Sequence, residues 1–194
     1  YCHGLGLDVW SVIDAAATKP FGFMKFTPGP GVGGHCLPID PSYLSWQARR
    51  SLGHAFRFVD IANDVNDHMP DYVVSRVVEY LNQRRKSVNG SSILLVGLAY
   101  KRNSRDTRQS PAITVAKKLA ALGADLRAID PLITAEAIPS FIRMVPCVAS
   151  QVTDADLIIV LADHDMIDWE LFERHADRVL DTRHRLRSPS TVRL

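Results

Sequence analysis

The sequence has few cysteines, no long hydrophobic run and no excess of either charge, and each absence excludes a class of protein. Three cysteines among 194 residues, an odd number without regular spacing, are too few for a disulfide framework and are typical of a reducing compartment. The longest apolar runs, 93–100 and 157–162, are far shorter than the ~20 residues that a membrane-spanning helix needs. We therefore expect a cytoplasmic protein without a membrane partner.

The overall composition is that of an ordinary globular protein. A formal net charge of +2, without a basic stripe interleaved with aromatic residues, gives no indication of a nucleic-acid partner. A hydrophobic content of 46% and a charged content of 23% are usual for a soluble domain. Between residues 97 and 110 the chain has one glycine, which is too few for the usual pyrophosphate-binding turn of a dinucleotide fold.

The hydrophobic pattern divides the chain into a helical part, residues 1–88, and an alternating part, residues 89–194. Apolar residues at three- and four-residue spacing predict helices in the first part, and Pro70 should divide the longest of them. Short apolar strands alternate with helices in the second part, which predicts a small parallel sheet covered on both faces. The predicted strands are Ile93–Gly97, Asp125–Ile129, Leu157–Leu161 and Arg178–Leu180. The predicted fold class is therefore α/β, a helical segment followed by a Rossmann-like domain.

Two helix starts can be predicted from local signals. Asp40 is expected to be the N-cap of a helix whose first helical residue is Pro41. Ser110 followed by Pro111 predicts another helix start, and Gly123 predicts the end of that helix.

The stretch from Gly29 to Pro41 places Cys36 on a glycine-rich loop. Glycines permit positive φ angles and the close approach of a ligand, whereas the prolines at the end of the loop stiffen it. This combination suits a thiol that must meet a substrate, although a lone cysteine is more often buried and inert. A pair between Cys36 and His35 is not expected, because adjacent residues in an extended loop point in different directions. No cysteine or histidine pair has zinc-finger spacing, so no metal site is predicted.

A second candidate site is the basic loop between the first predicted strand and the helix that starts at Ser110. It contains Lys101, Arg102, Arg105 and Arg108. The free amides and the dipole at a helix N-terminus favour anions, so the loop predicts a phosphate site. A solvated run of charge is the alternative, and we expect it to apply to Arg102 and Arg105.

Two more polar residues follow predicted strands. Arg183 comes after the last strand, at the end where open α/β sheets bind ligands, although a surface salt bridge would explain it equally well. Asp130 follows the second strand, where a dinucleotide fold places its ribose ligand, but Asp130-Pro131 is also an ordinary turn signal.

Five segments of the sequence resemble the UDP-glucose/GDP-mannose dehydrogenase family, especially its bacterial UDP-N-acetylhexosamine 6-dehydrogenase branch. Together they extend over nearly the whole chain and follow the family's order. They are KPFGFM (19–24), FTPGPGVGGHCLPIDPSYL (26–44), NDVNDHMP (63–70), VGLAYKRNSRDTRQSPA (96–112) and VLDTRHRLR (179–187).

The resemblance implies an NAD-dependent oxidation of the C6 alcohol of a UDP-hexose to the uronic acid, for polysaccharide biosynthesis. Cys36 would be the nucleophile, forming a thiohemiacetal and then a thioester, and Asp40 would order or activate water. An N-acetyl sugar such as UDP-N-acetylglucosamine is favoured, because residues 20–27 lack the arginine that often accompanies UDP-glucose specificity.

The same resemblance implies the binding residues. Lys101 and Arg108 would hold the nucleotide sugar, and Arg183 would approach the NAD side. His184 stands where the family pattern has asparagine. The loop glycines would pack against the hexose: Gly29, Gly31, Gly33 and Gly34.

Family members carry an NAD-binding domain ahead of the segments found here. We therefore expect a C-terminal fragment that is inactive alone, with most of the NAD site outside it, and that forms a homodimer or higher homo-oligomer. Two alternatives remain open. The first is a non-catalytic module for nucleotide-sugar binding or dimerisation, and the second is a thiol hydrolase or acyltransferase in which His54 or His68 activates Cys36.

Overall fold

The computed structural model describes all 194 residues and has seven α-helices and one six-stranded sheet. Four helices precede the sheet and three lie between its strands. The first four are α1 Val9–Ala17, α2 Asp40–Leu52, α3 Arg57–Asp67 and α4 Met69–Gln83. The later three are α5 Pro111–Ala121, α6 Ala149–Thr153 and α7 Trp169–Glu173. None of these helices combines the length and apolar content needed to cross a membrane.

The long helical region is broken where the sequence predicted it. Helix α3 ends at Asp67 and α4 begins at Met69, with His68 between them. Pro70 lies in the first turn of α4, where its missing N–H costs no helical hydrogen bond. The prediction that Pro70 divides this region is therefore confirmed.

The two predicted helix starts have different outcomes. The Ser110 hydroxyl accepts a hydrogen bond from the Ala112 N–H at 3.3 Å, so the predicted start of α5 is confirmed. The N-cap prediction for Asp40 is wrong, because α2 begins at Asp40 itself and its N-cap is Ile39. The chain is already turning there, since the Cys36 carbonyl accepts from the N–H groups of Ile39 at 3.2 Å and Asp40 at 2.8 Å.

The sheet has the order β3-β2-β1-β4-β5-β6, and all its neighbouring strands are parallel. The strands are β1 Ser92–Val96, β2 Asp125–Ile129, β3 Ile142–Met144, β4 Leu157–Val160, β5 Val179–Asp181 and β6 Val192–Arg193. The four predicted strands and the α/β fold class are confirmed. Strands β3 and β6 were not predicted, because three and two residues are too few to show a pattern.

The strand order changes direction between β1 and β4. From β1 the sheet extends through β2 to β3, and from β4 it extends the opposite way through β5 to β6. Open parallel sheets bind ligands outside the carboxyl ends of their strands at such a point. The segments that follow β1, β2, β4 and β5 are therefore the ones that can form a site.

Two buried clusters cover the two faces of the sheet, with 19 residues on one face and 11 on the other. The larger cluster contains Val73 and Val77 of α4, Ile93 of β1 and Val115 of α5. Helix α4 thus packs on the sheet although it precedes residue 88. The division of the chain into domains 1–88 and 89–194 stays a prediction.

Candidate active site

Asp130 joins three loops at the carboxyl edge of the sheet. Its Oδ2 accepts hydrogen bonds from the N–H groups of Leu98 at 2.7 Å and Ala99 at 3.3 Å, and its Oδ1 accepts from Leu132 N–H at 2.9 Å. Burial raises the pKa of Asp130, but hydrogen bonds from His164 and from the backbone outweigh burial, and the net pKa is lowered. The carboxylate is therefore ionised and shared between the loops that follow β1 and β2.

His164 completes this network and is fully buried. Its Nδ1 accepts from the Asn103 N–H at 2.9 Å, so the ring proton is on Nε2, which donates to Asp130 Oδ2 at 3.1 Å. Sequence reasoning missed His164 and treated Asp130 as a turn residue. The available signal was position, because both residues follow strands whose carboxyl ends meet at this edge.

The basic loop between β1 and α5 contains both paired and unpaired cations. Arg102 contacts Asp165 in a close ion pair and approaches Asp163, with 3.5 Å between its Nη1 and Oδ2. Lys101 forms no ion pair, and its Nζ lies 5.4 Å from the centre of the Tyr100 ring. Because Lys101 is exposed, its charge is available to an anion, as the sequence interpretation requires.

Arg108 is engaged within its own loop. Its Nε donates to both oxygens of Asp106, at 3.0 and 3.2 Å, and its Nη2 donates to Oδ2 at 2.8 Å. These contacts lower the pKa of Asp106 to about 2. Arg108 would therefore have to share its guanidinium, or leave Asp106, in order to contact a phosphate.

The cysteine loop, residues 29–36 with Cys36 at its end, lies directly against the sheet domain. A Cβ on Gly33 would come 2.7 Å from Pro111 Cδ and 3.0 Å from Tyr100 Cβ. Gly34 has a φ of +89°, and a Cβ there would come 2.8 Å from the Tyr100 ring. Only glycine permits this packing, because real Cβ atoms do not approach so closely. The structure thus explains these glycines by contact with the β1–α5 loop, and their contact with a hexose stays a prediction.

Arg183 connects the same loop to the end of the sheet. A Cβ on Gly29 would overlap Nη1 of Arg183, so the guanidinium lies against the loop backbone. Arg183 Nε is 3.5 Å from Asp163 Oδ1, and Asp163 also approaches Arg102. Asp163 therefore lies between one cation from each side of the strand-order change.

The departure from the family pattern at His184 has a local explanation. His184 has a φ of +55°, a left-handed conformation that asparagine and histidine adopt more readily than most residues. Its ring stacks on the buried Trp10 of α1, with centroids 4.5 Å apart and an angle of 14°. The histidine thus joins α1 to the segment that contains Arg183.

Cys36 and Asp40 occupy one turn of chain at the start of α2. Cys36 is exposed and free of any disulfide, and the Asp40 N–H donates to its carbonyl at 2.8 Å. The Asp40 side chain is exposed and forms no hydrogen bond or ion pair. Both functional groups are therefore open to solvent and to a substrate.

No histidine is placed to activate the thiol. His35 Nε2 lies 4.0 Å from Asp106 Oδ2, and His68 Nδ1 lies 2.7 Å from the Asp64 carbonyl oxygen. The Cys36 thiol forms no hydrogen bond with any histidine, so the geometry gives no support to a Cys–His hydrolase. No group of three or more histidine, cysteine, aspartate or glutamate side chains is arranged to hold a metal ion.

The loop between β1 and α5 does not form a whole dinucleotide site. Gly97 is the one glycine between β1 and α5, and a Cβ there would come 2.6 Å from Ala162 Cβ, so the glycine is needed for packing. A pyrophosphate cradle of several glycines is absent from this loop.

Two domain models of one protein family together match most of the chain. Residues 1–68 match the central domain of the UDP-glucose/GDP-mannose dehydrogenase family, and residues 94–188 match its UDP-binding domain.

Curated relatives are similar over much of this chain. UDP-N-acetyl-D-glucosamine 6-dehydrogenase of Pseudomonas aeruginosa is 38% identical over 132 residues, which are 68% of this chain and 31% of that protein. UDP-N-acetyl-D-mannosamine dehydrogenase of Methanococcus maripaludis strain C7 is 34% identical over 164 residues, 84% of this chain and 35% of that protein. The chain thus spans about a third of the length of these relatives.

Solved structures share the fold. NDP-N-acetyl-D-galactosaminuronic acid dehydrogenase from Methanosarcina mazei Go1 superposes with a TM-score of 0.83 at 26% identity, over 99% of this chain and 43% of that one. UDP-D-ManNAc dehydrogenase from Pyrococcus horikoshii superposes with a TM-score of 0.79 at 27% identity, over 99% of this chain and 44% of that one. On its sequence, its fold and its domain matches, the chain belongs to the UDP-glucose/GDP-mannose dehydrogenase family.

Proposed function

We propose that this chain is the C-terminal part of an NAD-dependent nucleotide-sugar 6-dehydrogenase that oxidises the C6 alcohol of a UDP-hexose to the uronic acid. The proposed substrate is UDP-N-acetylglucosamine or a related N-acetyl sugar, and the product would serve polysaccharide biosynthesis. The N-acetylhexosamine specificity named for the relatives supports this choice.

One observation carries the proposal: the loop with the exposed Cys36 packs on the carboxyl edge of the sheet. Gly33 and Gly34 touch Tyr100, and the next residue, Lys101, has an unpaired ammonium group. A UDP group held at this edge would therefore have its hexose close to the thiol. The two candidate sites of the sequence then act as one.

The proposed chemistry at Cys36 follows from the properties of a thiolate. After the alcohol has become an aldehyde, the thiolate adds to C6, a C–S bond forms and the carbonyl oxygen takes up a proton. Loss of hydride from C6, with release of the hydroxyl proton, then converts this thiohemiacetal into a thioester. Water then attacks the thioester carbonyl, the C–S bond breaks and the thiolate leaves. Cysteine suits both steps because it is a strong nucleophile and a fair leaving group.

The other residues have positioning and binding roles in this proposal. Lys101 would neutralise the diphosphate, and Arg108 would join it while remaining close to Asp106. Asp40, one turn after the thiol, would orient the hydrolytic water. NAD would supply the hydride acceptor for both oxidations, and Arg183 would be the residue of this chain that contributes to holding it.

The proposal includes self-association through the helices before the sheet. Several large apolar side chains of α2 and α3 are exposed, a pattern that marks interaction surfaces. They are Tyr43, Leu44, Trp46, Phe58, Ile61 and Val65. Sedimentation velocity should therefore find a homodimer or a higher homo-oligomer, and a monomer at all concentrations would refute this part of the proposal.

The test of the function is a substrate panel on a full-length enzyme that contains this chain. Each UDP-sugar is incubated with excess NAD, and the NADH formed per sugar is measured. We expect two NADH for each N-acetylhexosamine converted and none from the 194-residue chain alone. No NADH from any UDP-sugar would contradict the function, and would leave nucleotide-sugar binding without catalysis as the alternative.

The thiol step has its own variant. Cys36→Ser should stall before the acid, because a serine ester is formed and cleaved less readily than a thioester. Mass spectrometry of the products over time should then show that uronic acid forms more slowly than with the wild-type enzyme. A variant that retains full acid formation would exclude Cys36 as the nucleophile.

A further inference from the structure

Asn66, in the last turn of α3, holds the backbone of the cysteine loop. Its Oδ1 accepts a hydrogen bond from the Val32 N–H at 2.7 Å, and its Nδ2 donates to the Val32 carbonyl at 3.0 Å. The amide thus pairs with both backbone polar groups of one residue, as a residue of a neighbouring strand would. Val32 precedes Cys36 by four residues.

These two bonds are the only hydrogen bonds that residues 26–35 form. The glycines of this stretch pack against Tyr100, Pro111 and Arg183, and His35 approaches Asp106 at 4.0 Å. Packing alone permits a glycine-rich segment to slide, because glycine lacks a side chain that would lock its position. The direction and depth of the loop are therefore set largely by Asn66.

The contacts around Gly31 limit the movement of the loop beside Asn66. Gly31 has a φ of +127°, and a Cβ there would come 3.3 Å from Pro111 and 3.5 Å from the Asn66 carbonyl oxygen. The loop therefore passes between the end of α3 and the start of α5. Asn66 is followed by α4, which is buried in the core of the sheet domain.

We propose that Asn66 is a positioning residue for Cys36, acting through the Val32 peptide. This inference rests on the proposed function, because the thiol needs a fixed position only if it must meet a sugar held at the sheet edge. Asn66 forms no hydrogen bond with the thiol, since its side-chain amide is bonded to Val32. Its effect is to fix where the thiol is presented.

The first test is amide hydrogen exchange on the 194-residue chain. Asn66→Ala should speed exchange in residues 29–36, because the Val32 N–H and the loop lose their only hydrogen-bonded support. The matched control is Asn63→Ala, which removes an amide one turn earlier in α3 that donates to Ser42 Oγ at 2.9 Å. The control should leave residues 29–36 unchanged.

The second test is kinetic and uses the full-length enzyme. Misplacing a reacting group by about 1 Å can cost about 100-fold in rate, so Asn66→Ala should lower kcat by about 10- to 100-fold. The KM for the UDP-sugar should change by less than about threefold, because the diphosphate is held by the separate Lys101 loop. Asn63→Ala should retain the wild-type kcat.

A near-isosteric variant supplies a pH signature. The ionised side chain of Asn66→Asp can accept from the Val32 N–H but repels the Val32 carbonyl, so it should resemble the alanine variant near neutral pH. When protonated, the carboxyl group again offers one donor and one acceptor. The kcat of Asn66→Asp relative to Asn66→Ala should therefore rise as the pH falls toward the usual range of an aspartic acid, about 4.

The outcomes separate this inference from the function on which it rests. Unchanged exchange in Asn66→Ala would overturn the anchoring, whatever the enzyme does. Faster exchange with an unchanged kcat would overturn the positioning role. If the unaltered enzyme oxidises no UDP-sugar, the proposed function and with it the catalytic role fail, and exchange alone decides whether Asn66 holds the loop.

Discussion

Single polar residues at the carboxyl edge of the sheet decide how its loops are held. Asp130 accepts from the loop after β1 and from the His164 ring after β4, while His164 accepts from Asn103. A buried network of this kind is stable only when every member has a partner. Loss of one member leaves the others with unmet hydrogen bonds, which costs about 1–3 kcal/mol for each buried group.

The contribution of Asp130 to stability should depend on pH. Its folded pKa lies below the ordinary 3.8, so its carboxylate stabilises the fold above that pH, and this contribution is lost as the pH falls through the lower folded value. Asp130→Asn should therefore be less stable than the wild type at pH 7, and the difference should shrink below about pH 4. Urea unfolding at a series of pH values measures this difference.

Asp181 provides the control with the opposite sign. Burial raises its pKa above 3.8 and outweighs the hydrogen bonds that lower it, among them that from Leu186 N–H at 2.7 Å. Its contribution is therefore greatest at low pH and is lost as the pH rises through the raised value. The stability difference between wild type and Asp181→Asn should shrink as the pH rises. If the two stability differences changed with pH in the same direction, the opposite pKa shifts of Asp130 and Asp181 would be contradicted.

Lys101 is predicted to carry the charge that meets the diphosphate. Lys101→Ala should weaken UDP binding to this chain by about tenfold, the effect expected from a charge-assisted hydrogen bond of about 1.5 kcal/mol. Lys117→Ala removes an exposed lysine from α5 and should leave the affinity unchanged. Calorimetry with UDP gives both values, and equal affinities for the two variants would exclude Lys101 from the site.

At the scale of residues, the sequence predicts the groups that belong to recognisable strings and misses those that act through distant partners. Cys36 and Lys101 could be singled out because their neighbours form motifs. Asn66 lies in the NDVNDHMP segment and His164 follows a predicted strand, but neither was assigned a role, because their hydrogen-bond partners are 34 and 61 residues away. Arg183 was identified from the sequence, but its contact with Gly29 could be seen only in the structure.

At the scale of elements, the cysteine loop and the β1–α5 loop form one packed unit. Gly33→Ala places a methyl group against Pro111 and Tyr100, so the loop must move away from the sheet. Its φ is not in the left-handed region, so strain of the backbone itself plays no part. Gly4→Ala is the matched control, since a Cβ there meets nothing within 4 Å.

We expect Gly33→Ala to lower the free energy of unfolding by about 1–3 kcal/mol, the usual cost of overpacking, and to lower kcat in the full-length enzyme. Gly4→Ala should change neither quantity. Urea unfolding gives the free energy of unfolding of both variants, and initial rates give their kcat. Equal behaviour of the two variants would mean that the loop does not rest on the sheet domain.

Elements with a strong local pattern were predicted correctly, and those set by their surroundings were not. The break between α3 and α4 follows from Pro70, and the start of α5 follows from Ser110. Strands β3 and β6 are short edge pairings that exist only because neighbouring strands provide partners. The start of α2 was misplaced because the Cys36 carbonyl begins the turn before Asp40, which no local propensity indicates.

At the scale of the whole molecule, helix α4 couples the helical part to the sheet. Its apolar face is buried with β1 and α5, while α3, one residue before it, holds the cysteine loop through Asn66. A shift of the sheet edge would therefore be transmitted to the loop by two routes, the direct packing on Tyr100 and the hydrogen bonds to Val32. The sequence predicted both parts, but their contact depends on long-range packing.

Protection of Cys36 from alkylation tests most directly whether the thiol and the sheet edge form one site. The chain is treated with iodoacetamide at increasing concentrations of UDP-N-acetylglucosamine, and the modification of each cysteine is followed by peptide mass spectrometry. Cys147 is also exposed and free, and it follows β3, so it is the internal control. We expect the nucleotide sugar to slow alkylation of Cys36 more than UDP alone does and to leave Cys147 unaffected. An unchanged rate at Cys36 while the ligand is bound at saturation would contradict a shared site.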